Sequence, residues 1–404
     1  MQNKKIIIIG DDIRQATGVA NILRPILLSL SRKYDIVQIA AGLDADKEEN
    51  ISETISKITE NDSAYFKIYG TEGYGTFKKL KSVIKKESAD CIFLMTDPHK
   101  FDWLLNSDDS NKLNCPIFYY HVWDNDPNPH FLKSYYESCS TISCISKLTF
   151  NCVKSVCPDH PRVFYTPHGV DTTMFFKQPD NIIEKHRIDF LGKNYKFVLF
   201  FNGTNIPRKE LTSVILGFNQ FYDNLDKNDK PDVALLMHTN TESSRGIDLN
   251  KLLDDLYPDL PVLISNEVVS EKILNNMYNL SHCCINVASN EGFGLCTLES
   301  VATQTPIIVN KTGGLNDQIN EEWTIAIEPD TRILKGTKKT PYIFSDHVNI
   351  NSVASAIMDV YKKKEFDMSS VSDFLQNKNF TTDQMVKAIG DQIDLTISTF
   401  NTSN

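Results

Sequence analysis

Short apolar runs alternate with helix-patterned stretches along this chain, and they do so in two successive series. A brief apolar run without polar alternation, bounded by turn formers and followed by an amphipathic stretch, is the pattern of a parallel strand covered by helices on both faces. The first series offers Ile6 to Ile9, Ile36 to Ala40, Cys91 to Met95, Ile117 to Tyr120, Thr141 to Cys144 and Val163 to Thr166, with Gly18 to Ser31 the clearest helix between them. The second offers Phe197 to Phe201, Val233 to Met237, Val262 to Ile264, Cys284 to Val287, Ile307 to Val309 and Ile325 to Ile327. Between them Phe176 to Lys196 is polar and lacks a strand pattern until its end. With 404 residues the chain also exceeds what one core usually serves, since domains tend to split beyond roughly 250–300 residues. The expectation is an α/β protein: an N-terminal domain over 1–175, a linker over 176–196, a second domain over 197–350, and a helical segment over 351–404 that packs back toward the N-terminal domain.

The charge balance narrows the function classes. Lys plus Arg number 42 against 52 Asp plus Glu, a net charge of -10, which argues against a protein whose main task is to bind a polyanion. Lys78 to Lys86 packs five lysines into nine residues, and in so acidic a chain this reads as the solvated face of a helix. The nine cysteines are scattered without metal-ligand spacing and read as the reduced thiols of a cytoplasmic protein. The opening MQNKKIIIIG is too short in its apolar part for a signal sequence and reads as a buried first strand. No stretch approaches the roughly 20 apolar residues of a membrane span, so membrane association would be peripheral.

Four segments carry residues suited to chemistry. Asn290-Glu291-Gly292-Phe293-Gly294-Leu295-Cys296-Thr297-Leu298-Glu299 joins the strand Cys284 to Val287 to an apolar helix. Glycines just before a helix leave backbone N–H groups open where the helix dipole favours an anion, which makes a phosphate cradle. Glu291 in the loop and Glu299 in the helix then suit hydrogen bonding to sugar hydroxyls. Phe201-Asn202-Gly203-Thr204-Asn205-Ile206-Pro207-Arg208-Lys209 ends a strand and leads into a helix, and cations at such a junction suit a diphosphate. Near the N-terminus, Gly10-Asp11-Asp12 ends the first strand and Gly18 opens a helix after Arg14 to Thr17, without the three-glycine spacing of a dinucleotide fingerprint. His121 follows the strand ending at Tyr120, at the carboxyl edge where open α/β sheets bind ligands. Asp124-Asn125-Asp126 sits among turn formers, and we do not read it as a metal-binding aspartate pair.

A glutamate, seven residues and a second glutamate around Gly-Phe-Gly-Leu, followed by Thr312-Gly313-Gly314, resembles the signature of family 4 retaining glycosyltransferases of the GT-B fold. The resemblance spans Lys4 to Asp330 and includes His168-Gly169-Val170-Asp171, read as structural. It implies two Rossmann-like domains facing across a cleft, the first serving the acceptor and the second the nucleotide-sugar donor. It also implies sugar transfer from a nucleotide-diphosphate sugar to a hydroxyl acceptor by a retaining, front-face route, with no metal or other cofactor required. By position it assigns Glu291 to the transferred sugar, Phe293, Gly294 and Leu295 with Asn290 and Gly292 to sugar and diphosphate, and Glu299 to the ribose. Arg208 and Lys209 fall where the family's basic pair neutralises the leaving diphosphate, Gly18 and Arg14 near the donor phosphates, and His121 near the donor sugar. The sequence departs with Thr204 where arginine is common and Glu210 where glycine is common. The expected acceptor is a saccharide or a lipid-linked saccharide; the net charge gives no support to a hydroxylated DNA base. An epimerase or phosphorylase of the same fold, or a non-catalytic nucleotide-sugar-binding protein, is the alternative.

Overall fold

The structure, a computed structural model, describes residues 3–106 and 113–403. These form two compact units: the first runs from the N-terminal strand to Gly169 and takes in Gly336–Tyr342 and the final helix from Thr382, and the second holds Val170–Lys335 and Ile343–Thr381.

In the first unit, strands β1 (Lys5–Asp11), β2 (Asp35–Ala41), β3 (Glu48–Asn50), β4 (Phe66–Thr71), β5 (Cys91–Thr96), β6 (Ile117–His121), β7 (Thr141–Cys144) and β8 (Val163–Tyr165) pair in the order β3-β4-β2-β1-β5-β6-β7-β8. All pairings are parallel except that of β3 with β4. Ile6 to Ile9 are wholly buried because β1 is covered on both faces, which is why its apolar run does not alternate. Helices α1 (Gly18–Leu30), α2 (Ser52–Thr59), α3 (Phe77–Glu87), α4 (Asp102–Leu105), α5 (Lys133–Glu137) and α6 (Lys147–Val156) connect them. The strands β3 and β4 are absent from the sequence reading: Lys67 and Gly70 interrupt the apolar run of β4, and Gly70 is required because a Cβ there would lie 1.8 Å from Asp44 O. On α3, Leu80 and Val83 face the core while Lys78, Lys81, Lys85 and Lys86 are exposed, so the lysine-rich stretch is a solvated helix face.

The second unit begins with α7 (Asp180–Leu191), within the stretch expected to link the domains. That stretch is tied to its own unit: Phe176 N–H donates to Asn275 Oδ1 at 3.1 Å and Arg187 Nε to Leu280 O at 2.7 Å. There follow β9 (Phe197–Asn202), α8 (Leu211–Asp223), β10 (Val233–His238), α9 (Leu249–Leu256), β11 (Val262–Ser265), α10 (Glu271–Leu280), β12 (Cys283–Asn286), α11 (Leu295–Ala302), β13 (Ile307–Asn310) and β14 (Thr324–Ile327). The strands make a parallel sheet in the order β11-β10-β9-β12-β13-β14. A separate antiparallel hairpin, β15 (Thr331–Lys335) and β16 (Ile343–His347), precedes α12 (Ile350–Lys363) and α13 (Val371–Asn377). The core packs Leu199 and Phe201 of β9 against Val214 and Phe218 of α8 and Val353 and Ile357 of α12. Helices α8 and α12 approach so closely that a Cβ on Gly217 would meet Val353 Cγ1 at 2.3 Å.

The final helix, α14 (Thr382–Ser403), belongs to the first unit, where Thr396 Oγ1 bonds Thr141 Oγ1 at 2.7 Å. All nine cysteines are buried and unpaired. Among the described residues no helix is long and apolar enough to cross a membrane. In each parallel sheet the strand order reverses once, between β1 and β5 and between β9 and β12, and the carboxyl ends at such a switch point are where open α/β sheets leave a crevice for ligands.

Candidate functional site

The residues that converge lie at the switch point of the second unit. β9 ends at Asn202, and the chain passes into one 3-10 turn, Pro207–Lys209. Glu210 then takes a left-handed conformation, φ 54°, before α8 begins. Arg208 O accepts Ser289 N–H at 2.8 Å, which ties this turn to the loop that follows β12.

That second loop carries Glu291, which is buried. Its Oε2 pairs with Lys209 Nζ in a close ion pair and lies 3.3 Å from Arg208 Nη1, while Arg208 Nη1 also donates to Asn290 O at 2.9 Å. Burial alone would raise the Glu291 pKa, but the two cations outweigh it and hold it at about 2. The basic pair is therefore shared with a carboxylate that is ionised at neutral pH, leaving one net positive charge.

Gly294 stands at the start of α11 with φ 90°, and a Cβ there would meet Leu315 Cδ2 at 2.5 Å, so backbone angle and packing both require glycine. Gln318 Nε2 donates to Phe293 O at 2.6 Å and to Gly294 O at 3.1 Å. A peptide plane carries its C=O and the next N–H on opposite sides. Turning these carbonyls inward to Gln318 therefore turns the Gly294 and Leu295 N–H groups the other way, and neither amide has a hydrogen-bond partner among the described residues. Two open donors at a helix N-terminus suit an anion. Gly314 closes the back of the loop: its N–H donates to Glu291 O at 2.8 Å, and a Cβ would lie 2.1 Å from Gly292 O.

Glu299, half-buried on α11, accepts Tyr278 OH at 2.6 Å, and Tyr278 OH accepts Asn202 Nδ2 at 2.8 Å. Burial pushes the Glu299 pKa up to about 7 against the opposing pull of the Tyr278 bond. The two glutamates of one motif thus have opposite electrostatic surroundings.

Not every expected residue presents itself to a ligand. The Asn290 amide donates to Phe344 O, and Phe293 is buried with its ring edge-on to Phe380 at 5.6 Å, so only backbone atoms of these residues can serve. In the first unit, Arg14 Nη2 pairs with Asp12 Oδ2 and Nη1 with Glu49 Oε2, each at 2.5 Å. Gly18 opens α1 beside its cap Thr17, and a Cβ there would meet no atom within 4 Å, so packing within the chain does not demand glycine. His121 is enclosed by its own unit. Although β6 ends with it, its ring is fully buried, Nδ1 lies 3.1 Å from Tyr119 OH and Nε2 3.0 Å from Tyr136 OH, and burial lowers its pKa to about 3. Both nitrogens are taken by phenols of its own unit, so it is a neutral core histidine. Gln318, Tyr278 and Asn202 were missed, because a buried amide or phenol has no sequence signature. Among the described residues no group of three or more His, Cys, Asp or Glu is arranged to hold a metal ion.

Comparisons with known proteins agree on the fold. The Anabaena protein HepE, crystallised with UDP and glucose, is 13% identical with a TM-score of 0.68, over 97% of this chain and 100% of that one. Sucrose-phosphate synthase from Thermosynechococcus elongatus is 13% identical with a TM-score of 0.73, over 98% of this chain and 100% of that one. The α,α-trehalose 6-phosphate synthase from Burkholderia multivorans is 9% identical with a TM-score of 0.65, and both chains are covered in full, 100% each. The fold is therefore GT-B, as expected. No curated protein matches the sequence. The description "Family 4 Glycosyltransferase in conflict systems" matches residues 162–389, more than half of the chain and all of the site loops just described, and the protein belongs to that glycosyltransferase family.

Proposed function

We propose that the protein transfers a sugar from a nucleotide-diphosphate sugar to a hydroxyl acceptor, with retention at the anomeric carbon and without a bound metal. The observation that carries this reading is the pairing of Arg208 and Lys209 with buried Glu291 beside two outward amides. In this reading the Gly294 and Leu295 amides and the basic pair hold the diphosphate, Glu291 the transferred sugar and Glu299 the ribose. The HepE complexes with UDP and with UDP-glucose support a nucleotide-sugar donor.

The acceptor hydroxyl attacks the anomeric carbon from the face that the diphosphate leaves. The bond from that carbon to the phosphate oxygen breaks with its electron pair going to the diphosphate, which also takes the acceptor proton. Arg208, Lys209 and the amides stabilise the charge that grows on the leaving oxygen, the role a divalent cation would otherwise fill. The first unit would serve the acceptor, a saccharide or a lipid-linked saccharide. The buried, unpaired cysteines support a cytoplasmic location.

The test is a screen of nucleoside diphosphate sugars for turnover after exhaustive treatment with EDTA, with the anomeric configuration of the product read by NMR. Retained activity and a retained anomer are expected. Activity lost to EDTA and restored by Mn2+ or Mg2+ would remove the metal-independent part, and an inverted product would remove the front-face route.

A further inference from the structure

We propose that β16 is a brace that sets the geometry of both site loops, with His347 the positioning residue for the Arg208–Lys209 turn and Asp346 the positioning residue for the Glu291 loop. This rests on the site reading above. The hairpin of β15 and β16 stands apart from the six-stranded sheet, and β15 is exposed along its whole length, so the hairpin adds little core. Its polar contacts concentrate on the site instead.

Three residues of β16 carry them. Phe344 O accepts the Asn290 amide. Asp346 is 1% exposed; its N–H donates to Ser289 O at 2.8 Å and its carbonyl accepts Asn310 Nδ2 at 2.9 Å. Its carboxylate accepts Arg332 Nε at 2.7 Å and Thr312 Oγ1 at 2.7 Å. Thr312 opens the turn whose Gly314 N–H holds Glu291 O. A buried carboxylate is costly unless its lone pairs are engaged, and the bonds to Ser289 and Thr312 lead to the backbone that presents Glu291.

His347 reaches the other loop. Its Nδ1 lies 3.1 Å from Glu210 Oε1, and its Nε2 lies 3.0 Å from Ser345 Oγ and 3.2 Å from Lys335 Nζ. An ammonium only donates, so Nε2 accepts and the proton sits on Nδ1, which donates to Glu210. Glu210 is the residue held at φ 54°, directly after Lys209, and its other oxygen accepts Ser213 Oγ at 2.9 Å. A left-handed glutamate persists only where its surroundings over-determine it. His347 and Ser213 do so, and thereby fix the direction in which Lys209 leaves the backbone.

The assay uses the nucleoside diphosphate sugar that the wild-type enzyme turns over fastest from a panel of UDP-, GDP-, ADP- and TDP-hexoses. Since a misplacement of about 1 Å can cost on the order of 100-fold, His347→Ala should lower kcat about 10-fold to 100-fold while donor KM stays within about 3-fold. His347→Asn should recover most of it, because its amide nitrogen reproduces the Nδ1 donor. Glu210→Gly removes the same bond from the other side and adopts the left-handed backbone without strain, so its kcat should fall equally with no loss of melting temperature. It also carries the test if His347→Ala does not fold. Undiminished kcat in Glu210→Gly or His347→Ala, or no recovery in His347→Asn, overturns the inference while Lys209→Ala still shows its fall in kcat. If Lys209→Ala is fully active as well, the site reading itself falls.

Discussion

The two parallel sheets obey the same construction rules, yet their switch points carry different chemistry. At β9 and β12 the carboxyl edge gathers two cations, two carboxylates and two amides without a partner among the described residues, around two loops and one helix start. At the edge of the first sheet the groups expected to act are satisfied from within: His121 by two tyrosines, Arg14 by two carboxylates. The side chains at both edges are paired within the protein, and the difference teaches that a fold supplies the crevice, whereas the excess positive charge and open amides left after pairing decide which edge suits an anion.

The sharpest way to break this contrast is Lys209→Ala. Loss of one charge contact to the leaving group should reduce kcat roughly 30-fold to 1000-fold at saturating donor, about 2–4 kcal/mol of barrier. Steady-state kinetics checks it, and a change confined to donor KM would make Lys209 a binding residue only.

Next in size is the division between the glutamates. Glu299→Ala should weaken nucleoside diphosphate binding about 10-fold or more, the scale of a hydrogen bond to a charged group, whereas Glu291→Gln should spare that affinity and cut transfer. Calorimetry with the nucleoside diphosphate separates them, and equal losses of affinity would dissolve the division.

For the first unit, His121→Ala takes from Tyr136 OH its bond to Nε2 and from Tyr119 OH one of two bonds, the other going to Thr96 O, and should cost roughly 1–3 kcal/mol of stability, with little change in kcat of the folded enzyme. Thermal melting beside kinetics tests this; a large fall in kcat at unchanged stability would return His121 to the site.

The smallest effect is a pH dependence. With its pKa raised to about 7, Glu299 becomes fully ionised only above that value, so nucleotide affinity should strengthen as pH rises through about 7 and be flat in Glu299→Gln. The sign for stability is opposite. The folded protein holds this proton more tightly than the unfolded chain, so the carboxyl costs stability as pH rises from about 4.5 to about 7. Glu299→Gln should therefore melt higher relative to wild type at pH 8 than at pH 5. Glu291, held at about 2, should contribute no such change near neutrality.

The strands that read clearly from the sequence are those buried on both faces, such as β1 and β9, because continuous burial leaves an unbroken apolar run. The ones that escaped are β3 at a sheet edge, β4, whose apolar run Lys67 and Gly70 interrupt, and the hairpin of β15 and β16, whose Thr331–Lys335 strand is exposed throughout and so carries no apolar period. The glycine-rich cradle was legible for a local reason: only glycine tolerates the backbone at Gly294, and the loop and helix that use it are contiguous. What tertiary structure decided was partnership. Lys209 meets Glu291, Tyr278 meets Glu299, Asp346 meets Thr312 and His121 meets Tyr136 across separations from 15 to 82 residues, and no local pattern encodes such pairings. These partners and burial then set each group's charge, since the same carboxylate is held ionised beside two cations at Glu291 and pushed toward neutrality by burial at Glu299.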